Sequence, residues 1–200
     1  MKERGQLDAL VRDNTWLFGE QFHLTLSEPG LTRIMKRVAE DLASGSKPKK
    51  VTKPDGKTGR ADQFLGRKVP GPEKERHEYL LVELKRPGLK IGRKELNQVQ
   101  DYLDALRGQP DFSHTDTRWH LFLVTTEYDA TVEATIHQAN RPVGVAQMGD
   151  NYTLWVKTWG EVLRESQARH QFIEDQLKIE VTDEQIDARI KELTQSVTKA

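Results

Sequence analysis

Glu83 and Lys85 lie two residues apart in the stretch HEYLLVELKRPG that fills residues 77–88. Residues 79–84 form a short, largely apolar run stopped by Pro87 and Gly88, which predicts a buried strand. Side chains alternate faces along a strand, so the two charges share one face while Leu80, Val82 and Leu84 fill the other. A carboxylate and an ammonium at the end of a core strand are costly unless they are paired or bound to something. Asp62 can join them. It falls in a predicted strand over residues 60–67, and two strands joined by a short polar connection pair antiparallel, which sets Asp62 beside the Glu83 end. Two carboxylates on neighbouring strands can hold Mg²⁺, with Mn²⁺ as a substitute, because a hard cation prefers oxygen ligands and keeps several waters. A lysine on the same face can orient or deprotonate an attacking water, or neutralise charge developing on a phosphorane oxygen. The three residues together suit metal-assisted cleavage of a phosphodiester. A plainer alternative stands beside this one: Glu83 and Lys85 as a strand-end ion pair, and Asp62 as a turn-capping carboxylate.

The elements that must position these residues are legible as patterns. Residues 2–22 read as partly helical, with a ragged apolar stripe broken near residues 13–15. Leu31, Ile34, Met35, Val38 and Leu42 recur at helical spacing, with Ser27 as the expected N-cap and Pro29 in the first turn. Residues 44–59 lose the pattern and carry Lys47, Lys49, Lys50, Lys53 and Lys57, with a turn signal at Asp55-Gly56. They predict a mobile surface loop or hairpin tip, either simply solvated or a basic flap that touches phosphates. A helix is predicted over residues 93–107, with Leu96, Val99, Leu103 and Leu106 on its buried stripe. Gln98 and Tyr102 sit four apart on a flanking stripe. Residues 119–126 have the strongest strand propensity in the chain. A short helix capped by Asp129, a strand over residues 152–157, and a helix opened by a Thr158/Glu161 capping box follow. Ile186, Ile190, Leu193 and Val197 mark a last amphipathic helix. The order predicts a mixed α/β domain over residues 1–160 with a helical extension over residues 161–200.

Composition narrows the function classes. The chain has 200 residues, 36% hydrophobic and 31% charged, with a formal net charge of zero. No global field therefore draws it onto nucleic acid, and any such binding must come from a local patch. It has no cysteine, which removes disulfides, thiolate metal sites and cysteine nucleophiles, and fits a cytoplasmic setting. No apolar run is long enough for a membrane span. The six histidines show no metalloprotease spacing, and there is no phosphate-binding glycine loop and no nucleophile elbow. His120 reads as a packed or edge histidine.

Asp62 followed by Glu83-Leu84-Lys85 resembles the core of the PD-(D/E)xK nuclease superfamily, although Ala61 stands where that pattern has proline. Gln98 with Tyr102 resembles the Q-xxx-Y feature of its RecB-like branches. The wording Glu-Leu-Lys-Arg-Pro at residues 83–87, with Trp-Leu-Phe-Gly-Glu at residues 16–20, resembles the nuclease domain of Shedu anti-phage defence proteins. The broad resemblance covers roughly residues 16–159. It implies a restriction-endonuclease-like central mixed sheet flanked by helices. It also implies Asp62 and Glu83 as metal ligands, with Glu20 joining them, Lys85 assisting the water, and Gln98 and Tyr102 positioning the site or the substrate. Glu20 also reads as an ordinary helix-surface acid, Gln98 as a solvated helix residue and Tyr102 as a core-edge aromatic.

The expectation is a Mg²⁺-dependent deoxyribonuclease acting in anti-phage defence, with DNA as partner and Tyr102 and the loop lysines among its contacts. The C-terminal helices read either as a self-association surface or as a layer packed back onto the domain, and control is expected from oligomerisation or from domains or subunits outside this chain. The alternative is a nucleic-acid-binding or oligomerisation module that keeps the fold without catalysis.

Overall fold

In the computed structural model, residues 2–71 and 75–177 are described. Helix α1 (Lys2–Asp13) stops where the apolar stripe breaks, and a 3₁₀ turn (Thr15–Phe18) leads into strand β1 (His23–Ser27). Helix α2 (Leu31–Asp41), strands β2 (Gln63–Val69), β3 (Arg76–Leu84) and β4 (Lys90–Ile91), and helix α3 (Arg93–Arg107) follow. The chain continues through β5 (Thr117–Thr125), β6 (Glu127–Tyr128), α4 (Ala130–Ile136), β7 (Val145–Met148), β8 (Tyr152–Thr158) and α5 (Trp159–Leu177).

Six strands form one mixed sheet in the order β1-β2-β3-β5-β8-β7, and β4 pairs with β6 in a small separate ladder. β1, β2 and β3 run antiparallel, β3, β5 and β8 run parallel, and β7 turns back against β8. The parallel step from β3 to β5 requires a crossover, and α3 supplies it. This is the mixed α/β sheet flanked by helices that the sequence predicts.

Each face of the sheet has its own core. α2, α3 and α4 cover one face, where Ile34, Met35, Tyr79, Leu81, Val99, Leu103 and Trp119 pack together. Val11 of α1, Leu17 and Phe18 of the 3₁₀ turn, and Val162 pack on the other, against Leu80, Val82 and Leu84. The alternation expected along β3 is therefore present, and the face carrying Glu83 is the one beneath α3.

Several local expectations need correction. Ser27 does not cap α2; it ends β1, and α2 opens after Gly30 with no side-chain cap bond. The cause is a strand-like lacing of residues 28–31 to residues 59–62. Glu28 N donates to Asp62 O (2.7 Å), Ala61 N to Pro29 O (3.1 Å) and Leu31 N to Gly59 O (3.1 Å). Pro29 lies in this lacing and not in a first helical turn. The strand expected over residues 60–67 starts later, at Gln63, and α4 ends at Ile136, short of the expected residue 139. The Asp129 cap is present, accepting from Val132 N at 2.9 Å, and so is the Thr158/Glu161 box, with Thr158 N donating to Glu161 Oε2 at 2.6 Å. The basic segment carries an anchor at mid-length: Val51 is buried in the core and its N–H donates to Thr32 Oγ1 at 3.0 Å.

Two compact units divide at Glu165. The sheet lies in the first. In the second, the α5 residues Phe172 and Ile173 are exposed. The expected helix through Ile186, Ile190, Leu193 and Val197 lies outside the described residues. Among the described residues, no helix is long and apolar enough to cross a membrane.

Candidate active site

Asp62, Glu83 and Lys85 are all buried, with relative exposures of 4%, 1% and 9%. The β2–β3 register sets Gln63 opposite Val82, so Asp62 lies just beyond the last paired rung, level with the end of β3. Its Oδ2 accepts the N–H of Leu84 at 2.7 Å. That bond fixes the carboxylate against the peptide between Glu83 and Lys85. Lys85 lies past the end of β3, yet its N–H donates to Val124 O at 2.8 Å, which extends the β5 ladder by one residue and holds the lysine backbone in line.

Gln98 closes the constellation from α3. Lys85 Nζ donates to Glu83 Oε1 at 2.9 Å and to Gln98 Oε1 at 2.8 Å, and Gln98 Nε2 donates to Glu83 Oε1 at 2.9 Å. Three side chains from two elements thus form a ring in which the buried charges meet partners. An unpaired charge at this depth would cost several kcal/mol, so the ring removes the puzzle that the strand posed. Two of the three ammonium donors of Lys85 are used within the ring, and its chemistry leaves a third for a water or a phosphate oxygen.

Tyr102 stands one helical turn after Gln98 and locks the far side. Gln98 Nε2 donates to the phenol oxygen at 2.6 Å, and the phenol donates to Arg60 O at 2.8 Å. The tyrosine therefore ties α3 to the segment that carries Asp62. Burial, together with the nearby Glu83 and Asp62 carboxylates, pushes its phenol pKa up to about 12, so it remains a neutral donor at physiological pH. Tyr102 is only 4% exposed, which corrects its expected role as a nucleic-acid contact: it positions the site from inside.

Asp62 and Glu83 present oxygen donors only. Mg²⁺ is commonly held by one or two carboxylates plus waters and substrate oxygens, so this donor set fits it. Among the described residues no group of three or more acids and histidines converges into a fuller metal cage. Glu20 is accordingly not gathered in; it is exposed in the turn between the 3₁₀ segment and β1.

No protein-family model matches the sequence, and no curated protein is similar to it. Two solved structures match it in part. A repair endonuclease from Pyrococcus abyssi is 12% identical over 78% of this chain and 46% of that one, with a TM-score of 0.41. The MspJI restriction endonuclease in complex with a 27-mer oligonucleotide is 14% identical over 80% of this chain and 29% of that one, with a TM-score of 0.32. The chain spans less than half the length of either.

An acid that sequence reasoning missed comes from α1. Asp8 accepts from Gln63 Nε2 through its side chain, and burial raises its carboxyl pKa, the nearby Asp62 and Glu28 carboxylates adding to the shift. Asp8 therefore shares the electrostatic field of Asp62. The available signal was Gln63 itself, a polar residue opening a core strand beside Asp62 and needing a buried partner.

The loop lysines divide. Lys53 pairs with Asp55 (3.0 Å) and Asp101 (3.8 Å), so it staples the loop tip towards α3. Lys47, Lys49, Lys50 and Lys57 are exposed. Lys47 and Lys49 line a cleft of about 630 Å³ together with Lys36 of α2.

Proposed function

We propose that this chain is a divalent-metal-dependent nuclease that hydrolyses DNA phosphodiester bonds and serves as an effector of anti-phage defence. The observation that carries the reading is the Glu83–Lys85–Gln98 ring, with Asp62 held to the backbone between Glu83 and Lys85. A strand-end ion pair needs no glutamine clamp and no second carboxylate on the neighbouring strand. Here Glu83, Lys85 and Gln98 bond to one another, and Asp62 accepts the N–H of Leu84, the residue between the two charges.

In this reading Asp62 and Glu83 hold Mg²⁺, which supplies charge neutralisation at the phosphate and acidifies a water. Lys85 has the remaining work of polarity. Its third donor meets the attacking water or a non-bridging phosphate oxygen, and its charge offsets the negative charge that grows there. Gln98 holds the ammonium in register with Glu83, and Tyr102 holds Gln98 while fixing the carbonyl of Arg60 next to Asp62. The exposed Lys47, Lys49 and Lys36 supply cations along which a phosphate backbone can track.

Incubation of the purified chain with plasmid, linear and single-stranded DNA, and with RNA, in Mg²⁺ or Mn²⁺ tests the proposal. Cleavage that disappears in Glu83→Ala and Lys85→Ala supports it. Equal traces of cleavage in wild type and both variants, or none in any, reject it. Retention of DNA without cleavage, lost when Lys47, Lys49, Lys50 and Lys57 are neutralised, would establish a binding module in its place.

A further inference from the structure

A second concave site lies on the same face of the sheet, at the other end of β3. It is a cleft of about 350 Å³ between the C-terminal half of α2 and the strands β1, β2 and β3. His77 and Tyr79, which line it, share their face with Glu83. Six residues of strand separate His77 from Glu83, about 20 Å at ~3.3 Å per residue, so the cleft is distinct from the candidate active site.

Its chemistry is one-sided. Arg37 and Lys68 line it against a single carboxylate, Asp41, and His23 and His77 add two further nitrogen bases. Asp41 pairs with Nε of Arg37 at 2.9 Å and accepts from the Tyr79 hydroxyl at 3.4 Å. Lys68 meets Glu75 at 3.2 Å, but both side chains are more than half exposed, and such a pair contributes little. Arg67 adds no charge to it, because its guanidinium pairs with Glu78 and stacks on Phe22 across the opposite face of the sheet. The local excess of cations stands in a chain whose overall charge is zero.

Two backbone features open the cleft. Gly66 sits inside β2, where a Cβ would come within 3.2 Å of Thr25 Oγ1 and 3.6 Å of the Tyr79 ring, both of them cleft walls. Glycine in a strand interior weakens the strand and marks close approach by a ligand or another backbone. Across the ladder, the β1–β2 register shifts between Leu24 and Leu26, so Thr25 is the bulged residue. Bulges re-aim side chains beside binding sites. The His77 and Tyr79 rings stack with centroids 6.1 Å apart along the floor.

From these features we infer that the cleft binds a phosphomonoester of nucleotide size. Its volume falls in the range of small-ligand sites. Arginine supplies planar paired donors for phosphate, lysine a point charge, and the rings an apolar surface for the attached group. The phosphomonoester can belong to a free nucleotide or to the 5′ end of a strand. The inference does not depend on catalysis by Lys85.

Calorimetric titration of the full chain in EDTA separates the outcomes. Deoxyadenosine 5′-monophosphate should bind at least about tenfold more tightly than deoxyadenosine, because charge-assisted contacts to the phosphate carry the difference. Lys68→Glu and Arg37→Gln should each weaken it by about tenfold. Lys68 is exposed, so its variant tests binding without threatening the fold. A six-nucleotide strand with a 5′-phosphate, compared with the same strand ending in 5′-hydroxyl, identifies the source. Phosphate-dependent, Lys68-dependent binding of the strand points to strand ends, and its absence beside mononucleotide binding points to free nucleotides. Equal binding of nucleotide and nucleoside, or indifference to both cleft variants, overturns the inference and leaves the cleavage proposal untouched.

Discussion

The ring of Tyr102 occupies the space that a side chain on Gly59 would need: a Cβ there would stand 2.9 Å from Cδ1 and Cε1 of the tyrosine and 2.8 Å from Leu31 Cδ1. Gly59 is itself buried, and its carbonyl accepts Leu31 N. Glycine is thus required by close approach, and it lets α3 pin the segment leading to Asp62. Gly59→Ala is expected to cost about 2 kcal/mol in urea unfolding, as overpacking does in a filled core. It should also lower cleavage by displacing Asp62, although it touches no reacting group. Unchanged unfolding would show that Tyr102 can move aside.

Tyr102→Phe isolates the hydrogen bonds of the same residue. It keeps the ring and removes the bond to Arg60 O and the one from Gln98 Nε2. Loss of a buried bond that leaves its partners unsatisfied costs roughly 1–3 kcal/mol. The variant should remain folded with reduced cleavage. Gln98→Leu should reduce it further, since Lys85 and Glu83 then both lose a partner. Full activity in Gln98→Leu would mean that the ring is not needed to place the lysine.

Lys85→Met is predicted to destabilise as well as inactivate. It leaves the Glu83 carboxylate, 1% exposed, without its ammonium, and breaking a buried pair costs about 3 kcal/mol or more. The loss should shrink in Glu83→Gln/Lys85→Met, where no charge remains to be solvated. Additive destabilisation in the double variant would contradict the pairing. Circular dichroism melts of Lys85→Met, Glu83→Gln and the double variant at one pH decide it.

Much of this arrangement was legible in the sequence because it rests on short-range pattern. The apolar run of β3, the apolar stripe of α3 and the four-residue step from Gln98 to Tyr102 each follow from local periodicity, and together they account for Glu83, Lys85, Gln98 and Tyr102. The strands β1 and β7 were missed. HLTLS and VAQM are four or five residues long, and their strand character depends on pairing with β2 and β8 more than on propensity. Ser27 misled for a related reason: a good capping residue was consumed by a strand, a tertiary outcome that no local signal reports. The bond between Asp8 and Gln63 is likewise a tertiary outcome, made by how α1 packs against β2.

Asp8→Asn examines what that contact does for the site. The amide keeps an oxygen for the Gln63 hydrogen bond and removes a charge from the field of Asp62. If Asp8 supports the metal-binding carboxylates, the Mg²⁺ concentration for half-maximal cleavage should rise by about tenfold, as loss of outer-shell support does elsewhere. Unfolding in urea should change little near neutral pH. An unchanged Mg²⁺ requirement would leave Asp8 a partner of Gln63 alone.

His120 gives the fold a pH dependence of its own, on the face of the sheet away from α3. Burial lowers its pKa from 6.5 to about 4, against the opposing pull of Glu78, whose Oε2 lies 4.0 Å from Nε2; Arg118 and Arg67 add to the lowering. The folded state thus holds His120 neutral, while the unfolded chain takes up a proton as pH falls below about 6.5. Between 6.5 and 4 the unfolded state binds more protons, so stability is full above that window and falls as pH drops through it. The contribution from this residue is about 2 kcal/mol between pH 7 and pH 5. His120→Gln should remove that part of the acid sensitivity, and urea unfolding at the two pH values measures it. An identical loss in wild type and variant would place the acid sensitivity in other groups.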